Sequence, residues 1–255
     1  MKKINLSLII ITGNEQDMIA DCLHSCNFAD EFIMVSNSTD NTIDIAKKTI
    51  PSIKIFPHTP FNFSKSKNLA VSKSHGDWLL FVDADERITP ELKSAIQKII
   101  SEESVSFTSY DFPRANYYLG HRVKHGGSYP DYVKRLIYRK SFHGFIGDLH
   151  EQPQVDGPSQ KLTRDLLHYT HRDLTSMMAK SINWTRLEAE MLYQANHPPV
   201  VWWRFIRMML TKFWERLIQQ QMWRDGTVGW ISVIFETFDT FMIYARLWEL
   251  QQQKV

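Results

Sequence analysis

Two aspartates separated by one residue, Asp83-Ala84-Asp85, follow the apolar run Trp78-Leu79-Leu80-Phe81-Val82. Such a run reads as a strand buried on both faces. If the extended backbone continues through the acidic pair, side chains two residues apart point the same way and both carboxylates face one pocket. Two converging hard oxygen donors suit Mg²⁺ or Mn²⁺ bound together with a diphosphate. A metal placed there would offset the charge building on a departing diphosphate. Acidic pairs also start loops and cap helices, so the position at a strand end is what gives this one weight.

Other residues could join that chemistry. Asn14-Glu15 follows a second apolar run, Leu6-Ser7-Leu8-Ile9-Ile10-Ile11. Glu151 and Asp131 are carboxylates beyond the first hundred residues, Asp131 in Tyr129-Pro130-Asp131 after His125-Gly126-Gly127. Glycine in such a loop allows close backbone approach, and plain turn chemistry explains it nearly as well. His150-Glu151 lacks the second histidine of a zinc-protease helix, and neither a Walker-type loop nor a nucleophile elbow is present. Cys22 and Cys26, the only cysteines, cannot build a disulfide framework and do not have zinc-knuckle spacing, so they read as core residues.

Strands and helices must alternate to hold these groups. Strands are expected at Leu6–Ile11, Phe32–Val35, Ile53–Phe56 and Trp78–Val82. Helices are expected over 16–25, over 42–48 with Asp40 as cap, over 64–74, and from Thr89-Pro90-Glu91, a cap followed by proline at the first helical position. Alternation at this spacing gives an α/β fold with a mostly parallel, doubly wound sheet flanked by helices, whose ligands bind beyond the carboxyl ends of the strands. Short apolar segments broken by Gly, Pro and His occupy 105–170, and from Asp173 the chain is helical except at His197-Pro198-Pro199 and Asp225-Gly226. The expected division is a catalytic domain over 1–172, with a donor half over 1–104 and an acceptor half over 105–172, and a helical C-terminal extension over 173–255.

The composition, 43% hydrophobic and 23% charged over 255 residues, is that of a globular chain. A formal net charge of +2 argues against nucleic acid as a partner. The Met1-Lys2-Lys3 start precedes only a short apolar run without a cleavage signature, and no charge-free run approaches the roughly 20 residues of a spanning helix. A cytoplasmic location follows as the expectation.

Four stretches carry a resemblance: Leu8–Glu15, Ser38-Thr39-Asp40-Asn41-Thr42, Lys67-Asn68-Leu69-Ala70, and Gly76-Asp77-Trp78 through Asp83-Ala84-Asp85-Glu86-Arg87. They resemble family 2 glycosyltransferases of the GT-A fold. His125–Tyr132, Arg135-Leu136 and Leu149-His150-Glu151 are similar to a narrower branch that includes lipopolysaccharide inner-core glucosyltransferases. The resemblance implies an inverting, metal-dependent enzyme that moves a sugar, glucose from a UDP-sugar, onto a glycolipid or glycan acceptor. It implies that Asp83 and Asp85 serve metal and donor, Asp85 as the more direct Mn²⁺ or Mg²⁺ ligand, with His168 completing the metal site. It implies that Thr12, Asn14 and Glu15 hold base and ribose, that Lys67 lies near the diphosphate, and that Glu151 is the general base, with Asp131 its rival. One departure stands out: the aspartate that ends the family's second strand is replaced here by Val35 or Ser36.

The helical extension has its own signal. Six of the eight tryptophans lie beyond position 200, where Trp203, Ile206, Leu210, Phe213, Trp214 and Leu217 recur at helical spacing beside Arg204, Arg207, Lys212, Arg216 and Arg224. An amphipathic, cationic segment over 200–224 suits an anionic inner-membrane surface as partner, the enzyme sitting peripherally on the inner face of the cytoplasmic membrane. The same stripe could instead pack on protein. A non-catalytic membrane-surface scaffold and a nucleotidyltransferase are the competing functions, and the acidic, glycine-poor Thr12-Gly13-Asn14-Glu15 speaks against the second.

Overall fold

The computed structural model describes residues 5–58, 62–147 and 151–253. In chain order the elements are β1 (Leu6–Thr12), α1 (Ile19–Ser25), β2 (Glu31–Ser36), α2 (Thr42–Thr49), β3 (Lys54–Pro57), α3 (Phe63–Ser72), β4 (Trp78–Phe81), β5 (Glu86–Ile88), α4 (Pro90–Ser101), β6 (Ser109–Tyr118), β7 (His121–Arg122) and β8 (Asp131–Tyr138). They continue as β9 (Phe142–Ile146), β10 (Gln152–Val155), β11 (Ser159–Lys161), β12 (Leu166–His171), α5 (Leu174–Gln194), α6 (Trp202–Trp214) and α7 (Gly226–Gln252). The chain divides into two compact units, one of residues 1–114 and 131–168, the other of 115–130 and 169–255.

The first unit is the α/β part. The sheet runs in the order β3-β2-β1-β4-β8-β6-β12-β5. Its first four strands are mutually parallel, as the strand–helix alternation demands, and β8 then turns the sheet antiparallel against β4. β1, β2 and β4 are buried throughout because helices cover both faces. One face packs Leu6, Leu8, Ile10 and Leu80 against Ile19 and Leu23 of α1 and Leu92 and Ile96 of α4; the other packs Ile9, Phe81 and Ile137 with Ala70 of α3 and Phe145. Cys22 and Cys26 are free and buried in the first of these clusters, as core thiols.

One buried charge lies where the strands begin. Glu31 at the start of β2 accepts from Ser7 Oγ at 2.7 Å, from the His75 backbone N–H at 2.7 Å and from Lys54 Nζ at 3.0 Å. Gly76 is required beside it, since a Cβ there would lie 2.6 Å from the Ser7 backbone nitrogen.

Helix starts follow the sequence with one correction. Thr89 caps α4 by accepting from Leu92 N, and Pro90 opens it. Asp40 is not the cap of α2: Asn41 occupies that position, and the Asp40 carboxylate bonds Thr42 N–H and hydroxyl instead, at 3.0 and 2.5 Å. α1 is also shorter than expected, because Glu15 O accepts from both Met18 N and Ile19 N in a turn that precedes it.

The second unit holds the helices. α5 begins in a capping box between Asp173 and Ser176. α6 and α7 are joined through a π-helical turn, Glu215–Gln219, and a short 3-10 segment, Met222–Asp225. Gly229 lets α7 pass close to that segment, its missing Cβ leaving room for the Met222 carbonyl. The His125 imidazole in this unit pairs with Asp225 at 2.8 Å. One helical stretch, Met222–Gln252, is long and apolar enough to cross a membrane by length and composition. The sequence reading passed over it because Glu236 and Asp239 interrupt the apolar run.

Candidate active site

The carboxyl ends of β1 and β2 are tied together by side chains. Asn14 Oδ1 accepts from the Thr39 N–H at 2.8 Å while Asn14 Nδ2 donates to Thr39 Oγ1 at 3.1 Å. The Glu15 N–H donates to Thr42 Oγ1 at 2.8 Å, and Ser38 Oγ donates to the Gly13 carbonyl. Thr12, buried at the end of β1, turns its hydroxyl onto the Gly13 carbonyl at 3.0 Å.

The acidic pair departs from the expected geometry. β4 ends at Phe81, and Ala84 and Asp85 lie in a turn closed by Glu86 N–H donating to Asp83 O at 2.9 Å. Strand alternation therefore does not govern the two carboxylates. Asp83 is held by Arg135 of β8, whose same nitrogen donates to Glu86 Oε1 at 2.5 Å. Burial by itself would raise the Asp83 pKa, but Arg135, with Lys67 and Arg114 behind it, overcomes that and holds the carboxyl well below its ordinary range. Glu86, fully buried, is left above its ordinary value because burial and the neighbouring Asp83 outweigh Arg135. The Arg135 guanidinium is held charged by both carboxylates against the cost of its burial.

Asp85 has a different neighbour. Its carboxylate lies 3.5 Å from His168 Nε2, brought there by β12 pairing antiparallel with β5 so that His168 stands opposite Glu86. Among the described residues no group of three or more His, Cys, Asp and Glu side chains is gathered as a complete metal cage. The Asp85 carboxylate suits a Mg²⁺ or Mn²⁺ ion that takes other ligands from water and a diphosphate, and the imidazole beside it is a softer ligand than Mg²⁺ ordinarily takes.

Lys67, buried on α3, donates to Glu151 Oε1 at 2.7 Å and stands 5.0 Å over the Phe145 ring. The next residue, Asn68, bonds both the N–H and the carbonyl of Phe145, at 2.8 and 3.0 Å, so α3 fixes β9 and the lysine together. Leu149 and His150, quoted with Glu151 in the sequence resemblance, lie outside the described residues. Asp131 is clamped by Arg114, which donates to its Oδ2 from Nε at 2.8 Å and approaches it with a terminal nitrogen at 2.6 Å. Sequence reasoning missed Arg114, Arg135 as a site residue, and Glu86; the adjacency of Glu86 to the acidic pair and the place of Arg135 in the family resemblance were the available signs.

The sequence pattern of Glycosyl transferase family 2 matches residues 7–158, more than half of the chain. The protein belongs to that family. As a family 2 glycosyltransferase it is 28% identical over 272 residues to an uncharacterized glycosyltransferase of Rickettsia prowazekii, an alignment covering 98% of this chain and 88% of the relative. It is 24% identical over 262 residues to the lipopolysaccharide core biosynthesis glycosyltransferase LpsC of Rhizobium meliloti, covering 97% and 93%. Among solved structures, S. aureus TarS 1–349 in complex with UDP-GlcNAc is similar over 98% of this chain and 92% of that one, with a TM-score of 0.51 and 13% identity. That likeness carries the fold, a GT-A glycosyltransferase fold of mixed α/β sheet and flanking helices.

Proposed function

We propose that this family 2 glycosyltransferase transfers a hexose, glucose from UDP-glucose, with inversion, onto a lipid-linked core glycan at the inner face of the cytoplasmic membrane. The observation that carries the reading is the pairing of two half-sites in the first unit: Asp85 beside His168, and Glu151 held by Lys67. LpsC, named for lipopolysaccharide core biosynthesis, supports a glycan acceptor of that class.

The roles follow from chemistry. Thr12, Asn14 and Glu15 stand on the nucleotide side, in loops already tied to the β2 end. Asp83 orients the donor while Arg135 keeps it ionised. Asp85 and His168 would hold Mn²⁺ or Mg²⁺, which supplies positive charge to the leaving diphosphate when bound. Glu151 takes the proton of the acceptor hydroxyl as that oxygen bonds the anomeric carbon and the bond to the diphosphate breaks. Lys67 holds Glu151 in place and carries a positive charge toward the diphosphate. Asp131, with Oδ2 engaged by Arg114, anchors acceptor-side structure and is the alternative base to Glu151.

The test is UDP release from UDP-glucose with Mn²⁺ and a core oligosaccharide acceptor, followed by determination of the anomeric configuration of the product. A β-linked product dependent on acceptor supports the reading. Donor binding without transfer to any glycan, or transfer with retention, defeats it.

A further inference from the structure

α6 has no buried residue, although it packs on α7. Phe205 and Phe213 turn inward, Phe205 to the Phe241 ring at 5.8 Å and Phe213 to the Leu217, Met222 and Val233 cluster. The expected six-residue stripe therefore splits. Trp203, Ile206, Leu210 and Trp214 point outward with Trp202, which is 75% exposed, while Phe213 and Leu217 join the protein interior. α7 adds a second outward stripe that the sequence did not single out: Trp230, Ile234 and Phe238, with Ile234 61% exposed. Phe241, at the margin of the α7 stripe, touches Phe238 of that stripe and Phe205 on the inward side of α6, so the two helices are packed together beside the exposed residues.

The chemistry of this face is specific. Between Trp202 and Trp214 the chain carries Arg204, Arg207 and Lys212 and no acid. The Arg204 and Arg207 guanidinium groups lie 5.6 and 5.4 Å from the Trp203 ring. Indole beside guanidinium on an apolar ridge matches the region where acyl chains meet anionic headgroups. Lys212 is also paired with Glu215 at 3.0 Å, so Arg204 and Arg207 carry most of the positive charge of this border. α7 meets the length and composition of a spanning helix, yet Glu236 bonds Arg216 at 2.5 Å and Asp239 accepts from Ser181, so its polar side faces α5 and the turn after α6. Only one side is bare, which is the geometry of a helix lying in the interface.

We infer that α6 and α7 together form one bilayer-docking face, with Trp202, Trp203, Ile206, Leu210, Ile234 and Phe238 inserted at headgroup depth and Arg204, Arg207 and Lys212 on anionic lipid. This deepens the lipid-linked-acceptor reading by naming the surface that reaches the lipid.

The experiment is sedimentation of the full-length protein with phosphatidylcholine vesicles, with and without phosphatidylglycerol, alongside alkaline carbonate extraction from cell membranes. Binding requires phosphatidylglycerol and weakens in high salt. Each basic residue near an anionic surface is worth about fivefold in affinity, so the pair R204E/R207E lowers binding by roughly 25-fold or more. The pair I234S/F238S lowers it at least tenfold at every salt concentration, with the thermal midpoint and UDP-glucose binding unchanged. Carbonate releases the wild type. Failure of the wild type to bind anionic vesicles overturns the inference, as does carbonate-resistant insertion, or a wild-type dimer that I234S/F238S converts to monomer with no change in vesicle binding. Because UDP-glucose binding is read separately in the same samples, vesicle binding without donor binding would sink the catalytic reading alone.

Discussion

Lys67 and Glu151, 84 positions apart in the chain, are joined by a 2.7 Å hydrogen bond. The lysine proposed to face a diphosphate and the carboxylate proposed to accept a proton are thus one unit. Glu151→Gln keeps the shape and removes the base, so kcat falls about 100-fold to 10,000-fold while the donor Kd stays within a few-fold. Lys67→Met removes both the anchor and the cation, so kcat falls and donor KM rises together. Steady-state kinetics and donor titration separate the two; a Glu151→Gln enzyme with wild-type kcat moves the base elsewhere.

Asp85 and His168 are expected to act on the metal with unequal weight. Asp85→Ala abolishes Mn²⁺ binding, followed by its paramagnetic resonance signal after dialysis against EDTA, and transfer drops roughly 1,000-fold. His168→Ala weakens Mn²⁺ about 10-fold to 100-fold, by analogy with the loss of a supporting ligand interaction. Retained Mn²⁺ affinity in Asp85→Ala would place the ion at other residues.

Removing Arg135 leaves the buried Glu86, with the partly exposed Asp83 beside it, without their shared cation. Breaking a buried ion pair costs about 3–5 kcal/mol, so Arg135→Met is strongly destabilised at pH 7. With the cation gone, burial pushes the Glu86 carboxyl further above its unfolded value. Protonation then relieves the folded state, and the deficit shrinks as pH falls toward 4. Urea unfolding at several pH values checks this; a deficit that is flat with pH would mean the arginine acts through packing.

Glu31 gives a dependence of the same sign, but one that comes from a depressed carboxyl pKa in the wild type. Although burial opposes it, the His75, Ser7 and Lys54 hydrogen bonds lower its pKa from 4.5 to about 2. A depressed folded value contributes stability that is fully present above the unfolded pKa and is lost as pH falls through the folded one. At about 1.4 kcal/mol per unit, the contribution is on the order of 3 kcal/mol at neutral pH. Glu31→Gln is therefore destabilised at pH 7, and its gap to wild type closes between about pH 4.5 and pH 2. Chemical denaturation across that window measures it.

The parallel half of the sheet was legible because its strands are continuous apolar runs, and its helices because α4 has a cap and a proline in the expected places. The antiparallel half was not, since β5, β7 and β11 are two or three residues long and carry no periodicity to read. At the site, Asp83 and Asp85 were visible as a spacing, but the turn that carries them is closed by Glu86 and braced by Arg135, the latter contributed by a strand about fifty residues further on. The same limit hid the Arg114–Asp131 clamp, which needs the β6–β8 register to exist. On α6, the periodicity of apolar residues was correct, but only three-dimensional packing divides Phe213 and Leu217 from the exposed set.

Asn14 and Thr39 bond each other in both directions, and Glu15 and Thr42 add a further tie between the same two loops. These ties use only the protein's own groups, so the loops after β1 and β2 keep their conformations by internal cross-bracing. A ligand seated on that edge has little loop entropy to quench, and its binding free energy can go into discrimination between closely related molecules. Cutting the brace with Asn14→Ala would exchange that rigidity for disorder, and the loss would register as slower, more entropically opposed association.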